Sequence, residues 1–277
     1  MKERKKPLFI KLYAVLAAVV EVAVVFFTEI ISGPKDFWIP ILLYIGFFVG
    51  LLALHMIILL VISLFVNKNK PCEKPSKFFK FLTDYTVEAV LTVARVKIEI
   101  SGVEKIPTGQ RFLLVSNHRS NFDPFLCISK LRKYGLAFVS KPENFKIIVA
   151  GAFIHKCCFL PIDRENPRNA MRTIRKATDF VKDDICSIGI YPEGTRSRTG
   201  ELLEFKDGVF YIAKKAPCPI VVATTENTEK IGKNFPLHGT TVKFNVLDVI
   251  YPESFADKST HEISEQVRDM MLASLGK

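Results

Sequence analysis

Two long apolar stretches open the chain, and short apolar runs alternating with amphipathic segments fill the rest. From Phe37 to Val66 no Asp, Glu, Lys or Arg interrupts 30 residues, enough for a helix of about 45 Å at 1.5 Å per residue. A hydrocarbon core of about 30 Å needs only about 20 residues, so this run spans with tilt or with its ends among the headgroups. The earlier stretch, Leu8 to Ile31, carries Lys11, Glu21 and Glu29. Lys11 snorkels and Glu29 lies near an end, whereas a charge on Glu21, close to the middle, is costly. The pattern predicts a hairpin of two hydrophobic helices over residues 1–66, with an interfacial or half-inserted first helix as the alternative. A secretory signal at residues 1–31 is disfavoured, because no clear small-x-small cleavage site is present and a longer apolar run follows directly.

A polar, proline-bearing linker, residues 67–75, ends the second span. Phe79, Leu82, Tyr85, Val87, Val90 and Leu91 then recur near helical spacing, predicting an amphipathic helix over Phe78–Ala94 that packs on the next domain or lies on the bilayer surface. From residue 96 to 277 strands and helices alternate. Strands are predicted at Val96–Ile100, Phe112–Val115, Leu136–Val139, Phe159–Ile162, Ile185–Tyr191, Ile220–Thr224 and Val242–Val249. Helices are predicted at Pro124–Lys133, Asn144–Ile154, Asn169–Lys182, Gly208–Lys215 and His261–Leu275. This rhythm reads as an α/β domain with a central, largely buried sheet flanked by helices.

Charge adds an orientation. Of the net +11, residues 1–80 hold 11 Lys/Arg against 5 Asp/Glu. Lys2, Arg4, Lys5 and Lys6 precede the first apolar run, and Lys68, Lys70, Lys74, Lys77 and Lys80 follow the second, while the connection Ser32–Asp36 has only Lys35 and Asp36. The positive-inside rule puts both ends of the hairpin in the cytoplasm, with the lysine collar against anionic headgroups. With a hairpin of this kind, nucleic acid is not the expected partner of the basic charge. The six cysteines form no Cys-x-x-Cys pair and have no histidines at zinc-ligand spacing, so they read as small buried thiols in a reducing compartment, and no metal is expected.

Two segments carry candidate chemistry. In Ser116-Asn117-His118-Arg119-Ser120-Asn121-Phe122-Asp123, a loop between a predicted strand and a predicted helix, Asp123 is placed to turn back and hold one nitrogen of the His118 imidazole. The other nitrogen is then free to take a proton from a hydroxyl. A His and an Asp five residues apart prove little in isolation. In Tyr191-Pro192-Glu193-Gly194-Thr195-Arg196-Ser197, directly after an apolar strand, Arg196 suits a phosphate, Gly194 allows close approach, and Thr195 and Ser197 offer hydroxyls. Catalytic loops of open α/β sheets collect at strand ends, where the two segments would meet in one crevice. His155, in an apolar stretch, reads as structural; Asp163 either orients Arg164 or sits exposed; His55 and Glu21 lie at different depths in the hairpin, against their pairing.

Four ordered blocks make the chain resemble the glycerolipid acyltransferase family. Asn117–Asp123 looks like that family's His-x4-Asp block, Phe159-Leu160-Pro161-Ile162-Asp163-Arg164 like the second, Tyr191–Ser197 like the third, and Ala216-Pro217-Cys218-Pro219-Ile220-Val221 like the fourth. The likeness runs from about Gly102 to Thr225. Tyr191 stands where phenylalanine is usual, and Val222 where a second proline is often found. The resemblance implies a glycerol-3-phosphate acyltransferase-like fold and transfer of an acyl group from acyl-ACP or acyl-CoA, as co-substrate and without a further cofactor, to lysophosphatidic acid. By it, His118 is the general base, oriented by Asp123. Arg164, Arg196 and Lys141 hold the acceptor phosphate, and Glu193, Gly194, Thr195 and Ser197 complete the substrate site, with a backbone N–H near Gly194 as the oxyanion donor. The implied location is the cell membrane with the site facing the cytoplasm. Another lysophospholipid or glycerol-3-phosphate as acceptor, and a noncatalytic anionic-lipid-binding protein, are the alternatives; a serine hydrolase lacks its Gly-x-Ser-x-Gly elbow.

Overall fold

The computed structural model describes residues 8–276; the expectations for Lys2, Arg4, Lys5 and Lys6 lie outside that range. The chain divides into two compact units, residues 1–67 and 68–277. In the first, helix α1 (Leu8–Thr28) and helix α2 (Trp38–Leu64) pack on each other. Both are long and apolar enough to cross a membrane, and their large side chains face outward, Phe26 and Phe27 being 74% and 81% exposed. Side chains turned outward in this way need an apolar surrounding, so the unit fits membrane association. His55 bonds not to Glu21 but to the Tyr13 hydroxyl, 2.8 Å from Nδ1, linking α1 to α2.

The second unit is a seven-stranded sheet covered by helices. Helix α3 (Lys77–Val93), capped by the Ser76 hydroxyl, buries Leu82, Val87 and Leu91. It packs against helices α4 (Asp123–Lys130) and α6 (Ile148–Lys156). The strands are β1 (Val96–Ser101), β2 (Leu113–Ser116), β3 (Leu136–Ser140), β4 (Leu160–Pro161), β5 (Ser187–Ile190), β6 (Ile220–Glu226) and β7 (Thr240–Ile250). Their order is β1-β7-β6-β2-β5-β3-β4. Every pairing is parallel except β6 with β7. The central strands are buried on both faces, which accounts for their unbroken apolar runs. β7 alternates buried and exposed positions for most of its length, as a strand with one wet face does. Phe112, Phe180, Phe210 and Phe244 are fully enclosed in the core, each worth roughly 2–3 kcal/mol of transfer free energy.

Most helices fall where the periodicity places them, including α7 (Pro167–Lys182), α8 (Tyr211–Lys215) and α10 (Thr260–Leu275). The predicted helix Asn144–Ile154 is instead two, α5 (Pro142–Lys146) and α6, broken at Ile147 with φ −62° and ψ 127°. Gly151 permits the corner, since a Cβ there would lie 2.2 Å from the Phe145 carbonyl oxygen. The helix predicted to Lys133 ends at Lys130, and a single 3-10 turn, Arg132–Tyr134, closes on Gly135 with φ 62°. A short helix, α9 (Ile231–Asn234), was not anticipated in a stretch with few apolar residues.

Candidate active site

Five adjacent strands deliver the candidate residues to one edge of the sheet. His118 follows β2, Glu193 follows β5, Lys141 follows β3 and Arg164 follows β4, while Thr228 lies just beyond β6. Because these strands are parallel, their carboxyl ends form a common rim, the usual place for a ligand crevice in such sheets.

At the centre of the rim, His118 Nδ1 lies 2.7 Å from Asp123 Oδ2. The same oxygen accepts the backbone N–H groups of Arg119 at 2.7 Å and Ser120 at 2.8 Å. The Thr228 hydroxyl donates to Oδ1. Asp123 is wholly buried as the first residue of α4, where the helix N-terminus also favours its charge. A buried carboxylate with four donors is compensated and fixed in place. The imidazole lies flat on Tyr191, centroids 4.2 Å apart and planes 15° apart, and Tyr191 in turn stacks on Phe138. Gly189 makes room for that stack, since a Cβ there would come within 2.3 Å of the Phe138 ring. Among the described residues, His118 Nε2 has no hydrogen-bond partner.

The second motif grips the first by its backbone. Glu193 Oε1 accepts the His118 N–H at 2.6 Å, Oε2 accepts the Leu203 N–H at 3.0 Å, and the Ser197 N–H donates to the His118 carbonyl at 2.8 Å. Burial raises the pKa of Glu193, against the lowering effect of those N–H groups. Glu193 and Ser197 are buried, and these bonds brace the crevice from within. The Gly194 N–H is committed to the Tyr191 carbonyl at 3.0 Å, in a turn that puts Gly194 at φ 67°. Thr195 and Arg196 form the open face of this loop, both exposed.

Arg164 and Lys141 are exposed on the neighbouring strand ends. Partial desolvation lowers the Arg164 pKa, with Glu143 opposing the shift and Arg196 adding to it. The Arg196 charge is thus felt at Arg164. Asp163 does not hold Arg164; it accepts the N–H groups of Glu165 and Asn166 and the Asn169 amide, shaping the entry to α7.

Three further residues hold the site together, of which Thr228 alone lies outside the sequence motifs. Asn117 clamps Thr225 through both ends of its amide, at 3.0 and 2.7 Å, tying β2 to β6. Arg119 donates to the Gly200 carbonyl at 3.0 Å and lies 3.7 Å from Glu229. Thr228 completes the donors around Asp123; its signal was its position just past an apolar strand whose carboxyl end faces the rim. A cavity of about 230 Å³ lies elsewhere, beside α3, lined by residues that include Thr83, Asp84, Cys127, Leu131, Arg132 and Phe159.

Residues 97–225 match the family model described as Acyltransferase. The chain is 35% identical over 136 residues to a chloroplastic 1-acyl-sn-glycerol-3-phosphate acyltransferase of Brassica napus, covering 49% of this chain and 39% of that one. It is 30% identical over 184 residues to the chloroplastic enzyme of the same name from Arabidopsis thaliana, covering 66% and 50%. To the 1-acyl-sn-glycerol-3-phosphate acyltransferase of Saccharomyces cerevisiae it is 27% identical, covering 64% and 59%. The chain thus spans between 39% and 59% of these relatives' lengths. The crystal structure of the 1-acyl-sn-glycerophosphate acyltransferase PlsC from Thermotoga maritima superposes with a TM-score of 0.56 at 19% identity, covering 94% of this chain and 93% of that one, a likeness of fold. The part of the chain that holds both the His118–Asp123 pair and the Glu193 loop, residues 97–225, is thus similar to the acyltransferase family.

Proposed function

We propose that this protein transfers a fatty acyl group from an acyl thioester to the free hydroxyl of 1-acyl-glycerol-3-phosphate, forming phosphatidic acid and releasing the thiol. The observation that carries the reading is the His118 imidazole held through Nδ1 on the buried, four-donor Asp123 carboxylate. With Nδ1–H donating to Asp123, Nε2 is the basic nitrogen. It takes the hydroxyl proton as the alcohol oxygen attacks the thioester carbonyl, and the imidazolium forms against the carboxylate. Collapse of the tetrahedral intermediate breaks the C–S bond, and the thiolate leaves with the proton that His118 carried.

Arg164, Arg196 and Lys141 bind the acceptor phosphate, with the Thr195 hydroxyl as a further donor. The exposure of Arg164, Arg196, Lys141 and Thr195 at the rim supports this, because each offers a donor to a phosphate there. The donor is acyl-ACP or acyl-CoA, delivered from the cytoplasm. The lysines that follow α2 support a cytoplasmic-leaflet site.

Purified full-length protein in detergent, offered acyl-CoA or acyl-ACP with a panel of lysolipids, is expected to release thiol with lysophosphatidate and far less with acceptors of uncharged headgroup. Arg196→Ala is expected to raise the KM for lysophosphatidate by about tenfold or more, the cost of one charge-assisted hydrogen bond. Equal rates on neutral acceptors contradict the assignment.

A further inference from the structure

The corner between α5 and α6 exposes apolar surface that the chemistry above does not use. Ile147 and Ile148 stand side by side at its tip, 54% and 58% exposed. The corner is built and not frayed: the Gly151 N–H donates to the Ile147 carbonyl at 2.8 Å, and Gly151 fits directly against the Phe145 backbone. Phe78, in the first turn of α3, is likewise 54% exposed.

Cations flank the tip and run along α6 from it. The linker after residue 67 is strapped along α5 and α6 by three bonds: Lys68 Nζ donates to the Phe145 carbonyl at 3.0 Å, the His155 imidazole to the Lys70 carbonyl at 3.0 Å, and the Ser76 N–H to the Lys156 carbonyl at 2.9 Å. Lys68, Lys70, Lys74, Lys77, Lys146 and Lys156 therefore belong to one side of this unit, with Glu73 and Glu143 as its acidic residues in the same segments. Only residues 65–67 separate the last helical residue of the apolar hairpin, Leu64, from the strapped Lys68.

A bulky apolar tip with Lys68 and Lys146 beside it and further lysines along the strapped linker matches a bilayer interface, acyl chains below and anionic phosphates at the level of the ammonium groups. We propose that the α5–α6 corner and the strapped linker form a second membrane contact, with Ile147 and Ile148 inserted at the headgroup boundary of an anionic lipid surface. The proposal rests on the reading of the hairpin as membrane-embedded. It gives the acceptor arginines a short route to their lipid: Lys141 and Glu143 begin the same corner, and Glu143 is the carboxylate within electrostatic range of Arg164.

Trp38 is the chain's one tryptophan, so a Trp38→Phe background permits a single reporter. The full-length Trp38→Phe, Ile148→Trp protein, reconstituted in vesicles of phosphatidylcholine and phosphatidylglycerol, is expected to show blue-shifted emission quenched by lipids brominated close to the headgroup. An Ile147→Trp version repeats the measurement should the first not fold. Emission of a water-exposed indole, or blue-shifted emission that brominated lipid leaves unquenched, as a protein partner or second copy would give, overturns the proposal. Trp38 of the unaltered chain reports the hairpin independently in the same vesicles. Quenching there without quenching at the corner defeats the second contact alone, and quenching at neither defeats the membrane reading and the proposal together.

Discussion

Asp123 spends both carboxylate oxygens on donors, and the one that closes the set, the Thr228 hydroxyl, comes from 105 residues away. Removing it leaves a buried, charged oxygen short of a partner, a loss of about 1.5–3 kcal/mol for a bond of this kind. Thr228→Val is therefore expected to lower kcat about tenfold or more while leaving the KM of both substrates nearly unchanged, and Thr228→Ser to retain most activity. Steady-state kinetics of the two variants check this; a Val variant as fast as the wild type contradicts it. The pairing of His118 with Asp123 was legible in the sequence because five residues of loop hold both partners. Thr228 and the backbone-bracing use of Glu193 were not, because their partners become neighbours only when separate strands assemble side by side. The third motif announced a carboxylate, and chain chemistry alone does not say whether such a group faces a ligand or its own backbone.

At the scale of elements, the crevice depends on loops from β2 and β5 being held together, and Glu193 is the clamp. Burial raises its pKa above the ordinary carboxylate value, so folding favours its protonated form. Its contribution to stability is fully present below the unfolded pKa and is lost as pH rises through the folded pKa. Glu193→Gln removes that titration. The difference in Tm between wild type and variant is expected to move in the variant's favour as pH rises from about 4 to about 7; a difference independent of pH contradicts the role of burial. The strand and helix rhythm was readable because central parallel strands are apolar without interruption. The break at Ile147 was not, since a helical apolar period continues through it and the corner is set by Gly151 packing on the Phe145 backbone.

For the whole molecule, two apolar helices precede an α/β unit whose candidate residues share one rim. Helices α1 and α2 expose their largest side chains, so attachment rests on apolar burial and not on the lysines alone. Membranes containing the full chain are expected to retain it through alkaline carbonate and high-salt washing, followed by immunoblot; release into the wash contradicts a spanning or embedded hairpin. Whatever holds the chain at the membrane, acyl transfer by the proposed route turns on His118 as the base for attack on a thioester. Full-length His118→Ala protein, with circular dichroism matching wild type, is to be assayed for thiol release with lysophosphatidate and acyl-CoA or acyl-ACP. A fall of about 10²–10⁴-fold in kcat is the predicted result, and acyl transfer near the wild-type rate would contradict the account.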